Sequence, residues 1–218
     1  MMEKIALVVG STGLIGNLLV RKLVEDNDFA QVITLARRES NWQHEKLVNM
    51  IVDFDKLTDH QEVKHADVAF CCLGTTMKKA GSKAAFYKVD YEYVLAFANY
   101  ALQHGCKQFH LVSAMGANQK SMFYYNQVKG QIEEEIKKIG FESIHIMRPS
   151  LLLGDRKEKR LGEDVGKLFA TAFSFLIPAN YKGIQAESVA NYMQQLSKDS
   201  LQGTFIHESA EIRAHGKR

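Results

Sequence analysis

Two prolines, three cysteines and one tryptophan in 218 residues put several architectures out of reach. With only Pro149 and Pro178, no Pro-rich hinge divides the chain. Cys71, Cys72 and Cys106 are odd in number and two are adjacent, which suits neither a disulfide framework nor a zinc site. Buried free thiols in a reducing compartment are the expectation, and a cytoplasmic location with them. No apolar run approaches the ~20 residues of a membrane helix. The most apolar late stretch, residues 168–177, is short and is stopped by Pro178. The first strand begins almost at once, which leaves no room for a secretory leader. Net charge is only +3 and no long basic block occurs, which argues against a nucleic-acid partner. The densest basic stretch, residues 156–160, is interrupted by Glu158; it reads first as a solvated loop and second as a contact for an anionic group. His44, His60, His65, His104, His145, His207 and His215 show no metal-ligand spacing, so no metal is expected. His110, with apolar neighbours, reads as a core histidine.

The stretch that is most informative is residues 4–16, KIALVVGSTGLIG. An apolar strand pattern, Ile5 to Val9, runs into Gly10, Ser11, Thr12, Gly13, Leu14, Ile15 and Gly16, and a helical pattern follows. Strand, glycine turn and helix form the context of a dinucleotide site. The spacing is one residue off the usual G-x-G-x-x-G. Gly10 would allow the tight turn, Gly13 would let backbone N–H groups approach a pyrophosphate, and Gly16 would let helix and strand pack closely. The phosphates would lie at the positive end of the helix. A structural turn is the plainer alternative.

Further on, strands are expected at residues 31–36, 47–52, 67–73, 107–112 and 143–147, and a last one at 201–207. Helices are expected at 14–25, 58–64, 82–104, 121–139, 163–177 and 186–197, with Ser121 as an N-cap and a polar, frayed tail from Glu208. The long helix shows apolar positions Val89, Tyr93, Phe97 and Ala101 at a spacing of four. Strands alternating with helices predict a single α/β domain over residues 1–218, a doubly wound parallel sheet of Rossmann type. The expected strand order is 3-2-1-4-5-6, with residues 150–218 adding a small substrate-side subregion.

The region after the second strand bears on the cofactor. An acid there would bind a ribose hydroxyl and favour NAD(H); this chain has Ala36, Arg37 and Arg38. Two guanidinium groups suit a 2′-phosphate, so NADP(H) is favoured over NAD(H). A solvent-facing pair is the plainer reading. Asp53 could accept from the adenine amino group or cap the next turn. Leu73, Gly74 and Thr75 would pass beside the ribose and diphosphate, where glycine permits close approach.

Tyr125 and Lys129 are four residues apart and share a helix face. Ser113 ends the fifth strand. Carbonyl reduction needs an acid to protonate the oxygen as hydride arrives. A lysine ammonium beside a tyrosine stabilises its phenolate, and a serine can polarise the substrate oxygen.

The segments VVGSTGLIG, LARR, CCLGTT, YNQVKGQIE and MRPSLLLG, in this order, resemble the short-chain dehydrogenase/reductase superfamily. The likeness is to its atypical branch, with the Tat-interacting protein group and bacterial NAD(P)-binding relatives, and covers about residues 4–155. It implies that Ser113, Tyr125 and Lys129 form a catalytic triad, with Lys129 also on the nicotinamide ribose. It also implies that Pro149 and Ser150 border the nicotinamide. For the asparagine that this family carries on the helix after strand four, Asn99 is the candidate here. The fold suggests a homodimer through that helix and the Tyr125 helix, where Tyr87, Tyr91 and Tyr93 lie; ordinary packing explains them equally well. Phe169, Phe173, Phe175 and Leu176 would form a lid or core under the substrate side, with a lipid-binding patch as the outside reading.

The expected function is an NADPH-dependent reductase of a small carbonyl compound. A non-catalytic NADP(H)-binding regulatory protein is the alternative. An epimerase that retains NAD comes third, disfavoured by the short region after Ser150.

Overall fold

The computed structural model describes residues 3–40, 42–154 and 182–217. Seven strands form one parallel sheet: β1 (Lys4–Val9), β2 (Phe29–Ala36), β3 (Leu47–Ile51), β4 (Val68–Cys71), β5 (Gln108–Val112), β6 (Ser143–Arg148) and β9 (Gly203–Glu208), in the order β3-β2-β1-β4-β5-β6-β9. A separate parallel pair joins β7 (Leu152–Leu153) to β8 (Ile184–Gln185). The helices are α1 (Leu14–Glu25), α2 (Met77–Ala80), α3 (Lys83–Tyr87), α4 (Tyr93–Gln103), α5 (Tyr124–Ile136), α6 (Ala186–Leu196) and α7 (Ser209–His215).

The sheet explains why the first strand reads as unbroken apolar sequence. Successive side chains point to opposite faces. Leu7 and Val9 enter a core with Phe97 of α4, Phe109 and Ile132 of α5. Ala6 and Val8 enter the other, with Leu19 and Leu23 of α1 and Val189 and Met193 of α6. A strand covered on both faces has no polar side to show. Each fully buried leucine of these layers contributes roughly 1.5–3 kcal/mol of transfer free energy.

The expected strand order holds through six strands, and β9 extends it as a seventh, parallel to β6. Four expectations are corrected. The short helix at 58–64 is instead a 3-10 turn, Phe54–Asp59, because Asp53 caps it earlier and Phe54 and Leu57 anchor it in the core. The long helix at 82–104 contains a widened π turn, Lys88–Glu92, between α3 and α4. In place of an N-cap at Ser121, α5 begins at Tyr124, and the Ser121 hydroxyl accepts from the Phe123 N–H at 3.1 Å. The tail is not frayed: α7 seals the second core with Ile212, which is fully buried. The helix expected at 163–177, the basic stretch 156–160, and Phe169, Phe173, Phe175, Leu176 and Pro178 lie outside the described residues.

A parallel sheet brings every strand's carboxyl end to one edge. Gly10, Arg37, Asp53, Leu73, Ser113 and Pro149 all follow strand ends, so they line that edge together. In open sheets of this type, ligands bind there.

Candidate functional site

The edge is built around the β1–α1 turn. Gly10 has φ +75°, and a Cβ there would lie 2.4 Å from the Cys72 backbone carbonyl at the end of β4. A Cβ on Gly16 would lie 2.2 Å from the Gly10 carbonyl oxygen. Both positions therefore demand glycine, one for its turn and one for the approach of α1. Gly13 closes the turn by donating to the Gly10 carbonyl at 2.9 Å, and it is the N-cap of α1 without a capping side chain. The N–H groups of Leu14, Ile15 and Gly16 lie in the first turn, where the helix supplies them no acceptor. No acidic side chain occupies that turn. Ser11 is buried and Thr12 is exposed.

Arg37 and Arg38 are both exposed, directly after β2. Neither has an ion pair or hydrogen bond among the described residues. Asp53 uses one carboxylate oxygen to cap its turn, accepting from the Asp55 N–H at 3.0 Å. Its capping alternative is thus realised, with the second oxygen outside that bond.

Lys129 is the best-anchored of the expected catalytic residues. Its ammonium is 2.8 Å from Asp90 Oδ1, with side-chain exposures of 4% and 0%. Asp90 Oδ2 accepts the Thr75 N–H, also at 2.8 Å. Burial alone would push the Lys129 ammonium to lower pKa; Asp90 opposes it by its charge and its hydrogen bond, and the net shift is upward. Gly74 borders this pair, and a Cβ there would lie 3.4 Å from Asp90 Oδ1 and 3.7 Å from the ammonium. Tyr125 stands one helical turn before Lys129, half-buried, its ring 5.5 Å from that of Phe86. Cys71, buried beneath them, has its thiol pushed up to about 12 by that burial.

Ser113 belongs to a second network. Its hydroxyl donates to Glu133 Oε1, a buried carboxylate two turns beyond Tyr125 on α5. Arg148 grips the same carboxylate with Nε at 3.1 Å and Nη2 at 2.6 Å, and reaches Glu208 with Nη1 at 3.2 Å. These bonds raise the Arg148 pKa. Pro149 is buried, and its carbonyl accepts from the Met115 N–H at 3.0 Å. The Ser150 hydroxyl donates to the Lys182 carbonyl at 2.5 Å and accepts from Ser209 at 2.9 Å. The structure thus brings Tyr125, Lys129 and Thr75 together. It gives Ser113 and Ser150 other partners.

Asn99 is exposed and donates to the Leu95 carbonyl at 3.0 Å, as an ordinary helix-surface residue does. The polar residue of that helix that meets Lys129 is Asp90, which the apolar spacing of the helix does not mark. Val89 and Tyr93, which the spacing of four puts on the buried stripe, are only half-buried, whereas Asp90, Val94, Phe97 and Ala101 are buried. A π turn shifts the phase of the helix face that it precedes. Tyr87 and Tyr91 stack on each other at 4.6 Å.

Among the described residues, no three His, Cys, Asp or Glu side chains are grouped to hold a metal ion. No helix among them is long and apolar enough to cross a membrane.

The family model described as NAD(P)H-binding matches residues 10–199. The protein HTATIP2 of Rattus norvegicus is 38% identical over 173 residues, which are 78% of this chain and 71% of that one. The mitochondrial protein FMP52 of Eremothecium gossypii is 34% identical over 214 residues, 95% of each chain. A short chain dehydrogenase family protein from Francisella tularensis superposes with a TM-score of 0.67 at 15% identity, over 96% of this chain and 98% of that one.

The expectation of a cytoplasmic location is corrected by these relatives. The Eremothecium protein and its counterparts in Candida albicans and Emericella nidulans are all named mitochondrial. Reduced cysteines exclude only oxidising compartments and do not choose among the others.

Proposed function

The chain belongs to the NAD(P)H-binding family, and from that premise we propose that it is an NADP(H)-dependent oxidoreductase reducing a small carbonyl compound. The observation that carries the reading is the buried Lys129 ammonium, beside Gly74 and one turn from Tyr125, on the edge that holds the Gly10–Gly16 turn. The residues present suit a dinucleotide. The first turn of α1 offers N–H groups to a diphosphate. Lys129 makes no polar contact besides Asp90 among the described residues, so its N–H donors are available to ribose hydroxyls. Arg37 and Arg38 carry two guanidinium groups that have no partner among the described residues, where a 2′-phosphate would be held.

When bound, the nicotinamide supplies a hydride. Tyr125 then gives its phenolic proton to the oxygen that gains charge, and Lys129 stabilises the phenolate that remains. Ser113 orients that oxygen only after exchanging its bond to Glu133. Asp53 offers its second carboxylate oxygen to the adenine amino group, and Pro149 and Ser150 border the nicotinamide end.

The experiment is a titration with NADPH followed by a panel of aldehydes and ketones, read as loss of reduced-nicotinamide absorbance. Turnover that disappears in Tyr125→Phe, with NADPH binding kept, supports the reductase. Binding without turnover across the panel favours a cofactor-binding regulatory protein instead. One observation speaks for that second reading: the hydroxyl proton of Ser113 is committed to Glu133.

A further inference from the structure

Two segments frame the edge on the side of Tyr125: residues 73–89, after β4, and residues 113–131, which run from the end of β5 into α5. Neither contains an acid. Together they carry Lys78, Lys79, Lys83, Lys88, Lys120 and Lys129. Two of these charges are neutralised within the fold: Lys129 meets Asp90 at 2.8 Å, and Lys88 meets Asp55 at 2.7 Å. Lys78 and Lys83 are exposed, and no carboxylate among the described residues engages either. A wall that carries one sign of charge concentrates ligands of the other sign.

Lys83 is tied to the site by its own backbone and stem. The helices α2 and α3 are capped by Thr76 and Ser82, whose hydroxyls accept from the Lys79 N–H at 3.2 Å and the Ala85 N–H at 3.1 Å. The start of α3 then lies against the start of α5. The Tyr124 hydroxyl donates to the Lys83 carbonyl at 3.2 Å, and the Lys83 ammonium lies 5.1 Å from the centre of the Tyr124 ring. Phe86, fully buried, sets its ring 6.1 Å from that of Tyr124 and 5.5 Å from that of Tyr125. One buried ring thus couples the helix of Lys83 to Tyr125. An ammonium already resting on an aromatic face loses little further freedom when it meets an anion.

We propose that the substrate of this site is an anionic carbonyl compound, whose carboxylate or phosphate group is held by Lys83, with Lys78 adding to the field, while its carbonyl faces Tyr125. The proposal rests on the reductase reading and names a substrate class for it. The held anion takes no part in the chemistry. The carbonyl carbon gains the nicotinamide hydride, the oxygen gains the Tyr125 proton, and the anion leaves unchanged on the alcohol. The rival use of these lysines is to hold the phosphates of the cofactor.

Pairs of aldehydes that differ in charge test this. With NADPH, succinic semialdehyde is compared with butanal, and glyceraldehyde 3-phosphate with glyceraldehyde. In at least one pair the anionic member should have the higher kcat/KM, by about tenfold or more, and the pair that shows it tells carboxylate from phosphate. Lys83→Gln removes the charge and keeps most of the stem; combined with Lys78→Gln it should cut that ratio by about tenfold, through KM. Lys83→Arg keeps the charge and should keep the preference, as should Lys88→Gln, whose charge is neutralised by Asp55. Neutral members reduced as well as anionic ones overturn the proposal, and so does a ratio that survives in the double variant. A double variant that loses NADPH affinity and keeps the ratio assigns the lysines to the cofactor instead. If NADPH binds and no aldehyde is reduced, the reductase reading fails, and the anion site is judged by calorimetric titration of succinate and of inorganic phosphate into the NADP-loaded protein. Binding of either that weakens about tenfold in the double variant upholds the anion site; no binding of either overturns it.

Discussion

His145 and His207 meet nitrogen to nitrogen inside the core, Nδ1 to Nε2 at 3.1 Å, one on β6 and the other on β9. The contact is part of a file. His207 Nδ1 lies 2.7 Å from the Glu211 carboxylate, which also accepts from the Tyr192 hydroxyl at 2.8 Å. His145 Nε2 lies 3.1 Å from the Ser143 hydroxyl. One assignment of protons satisfies every bond: Ser143 donates to His145, His145 to His207 and His207 to Glu211. His110 stacks on His145 at 4.8 Å, fully buried, with no hydrogen bond to either ring nitrogen among the described residues.

Acid should therefore weaken the fold before most carboxylates titrate. Burial, with the neighbouring His207, lowers the pKa of His145 to about 4. Burial lowers that of His110 too, with His145 next to it. The unfolded chain takes up these protons below about pH 6.5, and the native state refuses them until lower pH. Between the two values the proton favours unfolding, so stability present above pH 6.5 is lost as pH falls. By pH 5 His145 alone accounts for about 2 kcal/mol, and His110 acts in the same direction. Urea unfolding at pH 7.5 and pH 5 measures it; equal stabilities at the two pH values would refute the argument.

Gly16→Ala should separate the cofactor turn from general stability. The added methyl would sit 2.2 Å from the Gly10 carbonyl oxygen, which is backbone and cannot swing aside. The N-terminus of α1 must move away from the turn, at a cost of about 1–3 kcal/mol. NADPH affinity should drop by more than tenfold. Gly13→Ala, whose methyl would be 3.1 Å from the same oxygen, should unfold at nearly the native temperature while still losing affinity. Thermal unfolding and NADPH titration of both variants check the pair, and native-like binding by Gly16→Ala would count against a dinucleotide on this turn.

What the sequence showed of this site follows from what is local. The turn of Gly10, Gly13 and Gly16 was legible because its requirements lie within one βα unit. Tyr125 and Lys129 were legible because helical spacing alone puts them on one face. Asp90 was not. An acid in a helix reads as solvent-facing, and its burial is decided by Lys129 on another helix and by a π turn that leaves no mark in hydrophobic spacing. The position of Ser113 at a strand end was visible, whereas its partner Glu133 depends on how far α5 runs back along β5. Helix α7 was missed because its sequence offers one large apolar residue, Ile212, whose burial needs α6 in place.

The Arg148–Glu133 pair should be asymmetric under mutation. Glu133 is 1% exposed and Arg148 20%, so the carboxylate depends on the guanidinium more than the reverse. Arg148→Met leaves a buried carboxylate with Ser113 as its one remaining partner among the described residues and should cost about 3–5 kcal/mol. Arg148→Met combined with Glu133→Leu removes both charges and should recover much of that loss. Chemical unfolding of the two variants provides the comparison; equal losses would mean that the pair adds little beyond packing.

Arg37 and Arg38 bear on which nicotinamide nucleotide is used. Both lie exposed after β2, with no acid engaging either among the described residues, and the position where an NAD-selective acid would sit is Ala36. A guanidinium gains more from a phosphate dianion than from a ribose hydroxyl, since each charge-assisted bond contributes about 1.5–3 kcal/mol. Replacing both with alanine should therefore weaken NADPH binding by about tenfold to a hundredfold, while NADH affinity changes by less than about threefold. Salt sharpens the comparison. Added salt screens exposed charges, so the native preference for NADPH over NADH should shrink as ionic strength rises. In the double variant that salt dependence should be largely gone. If the double variant keeps the native ratio of NADPH to NADH affinity, the two arginines are a solvated surface pair and the nucleotide preference has another source.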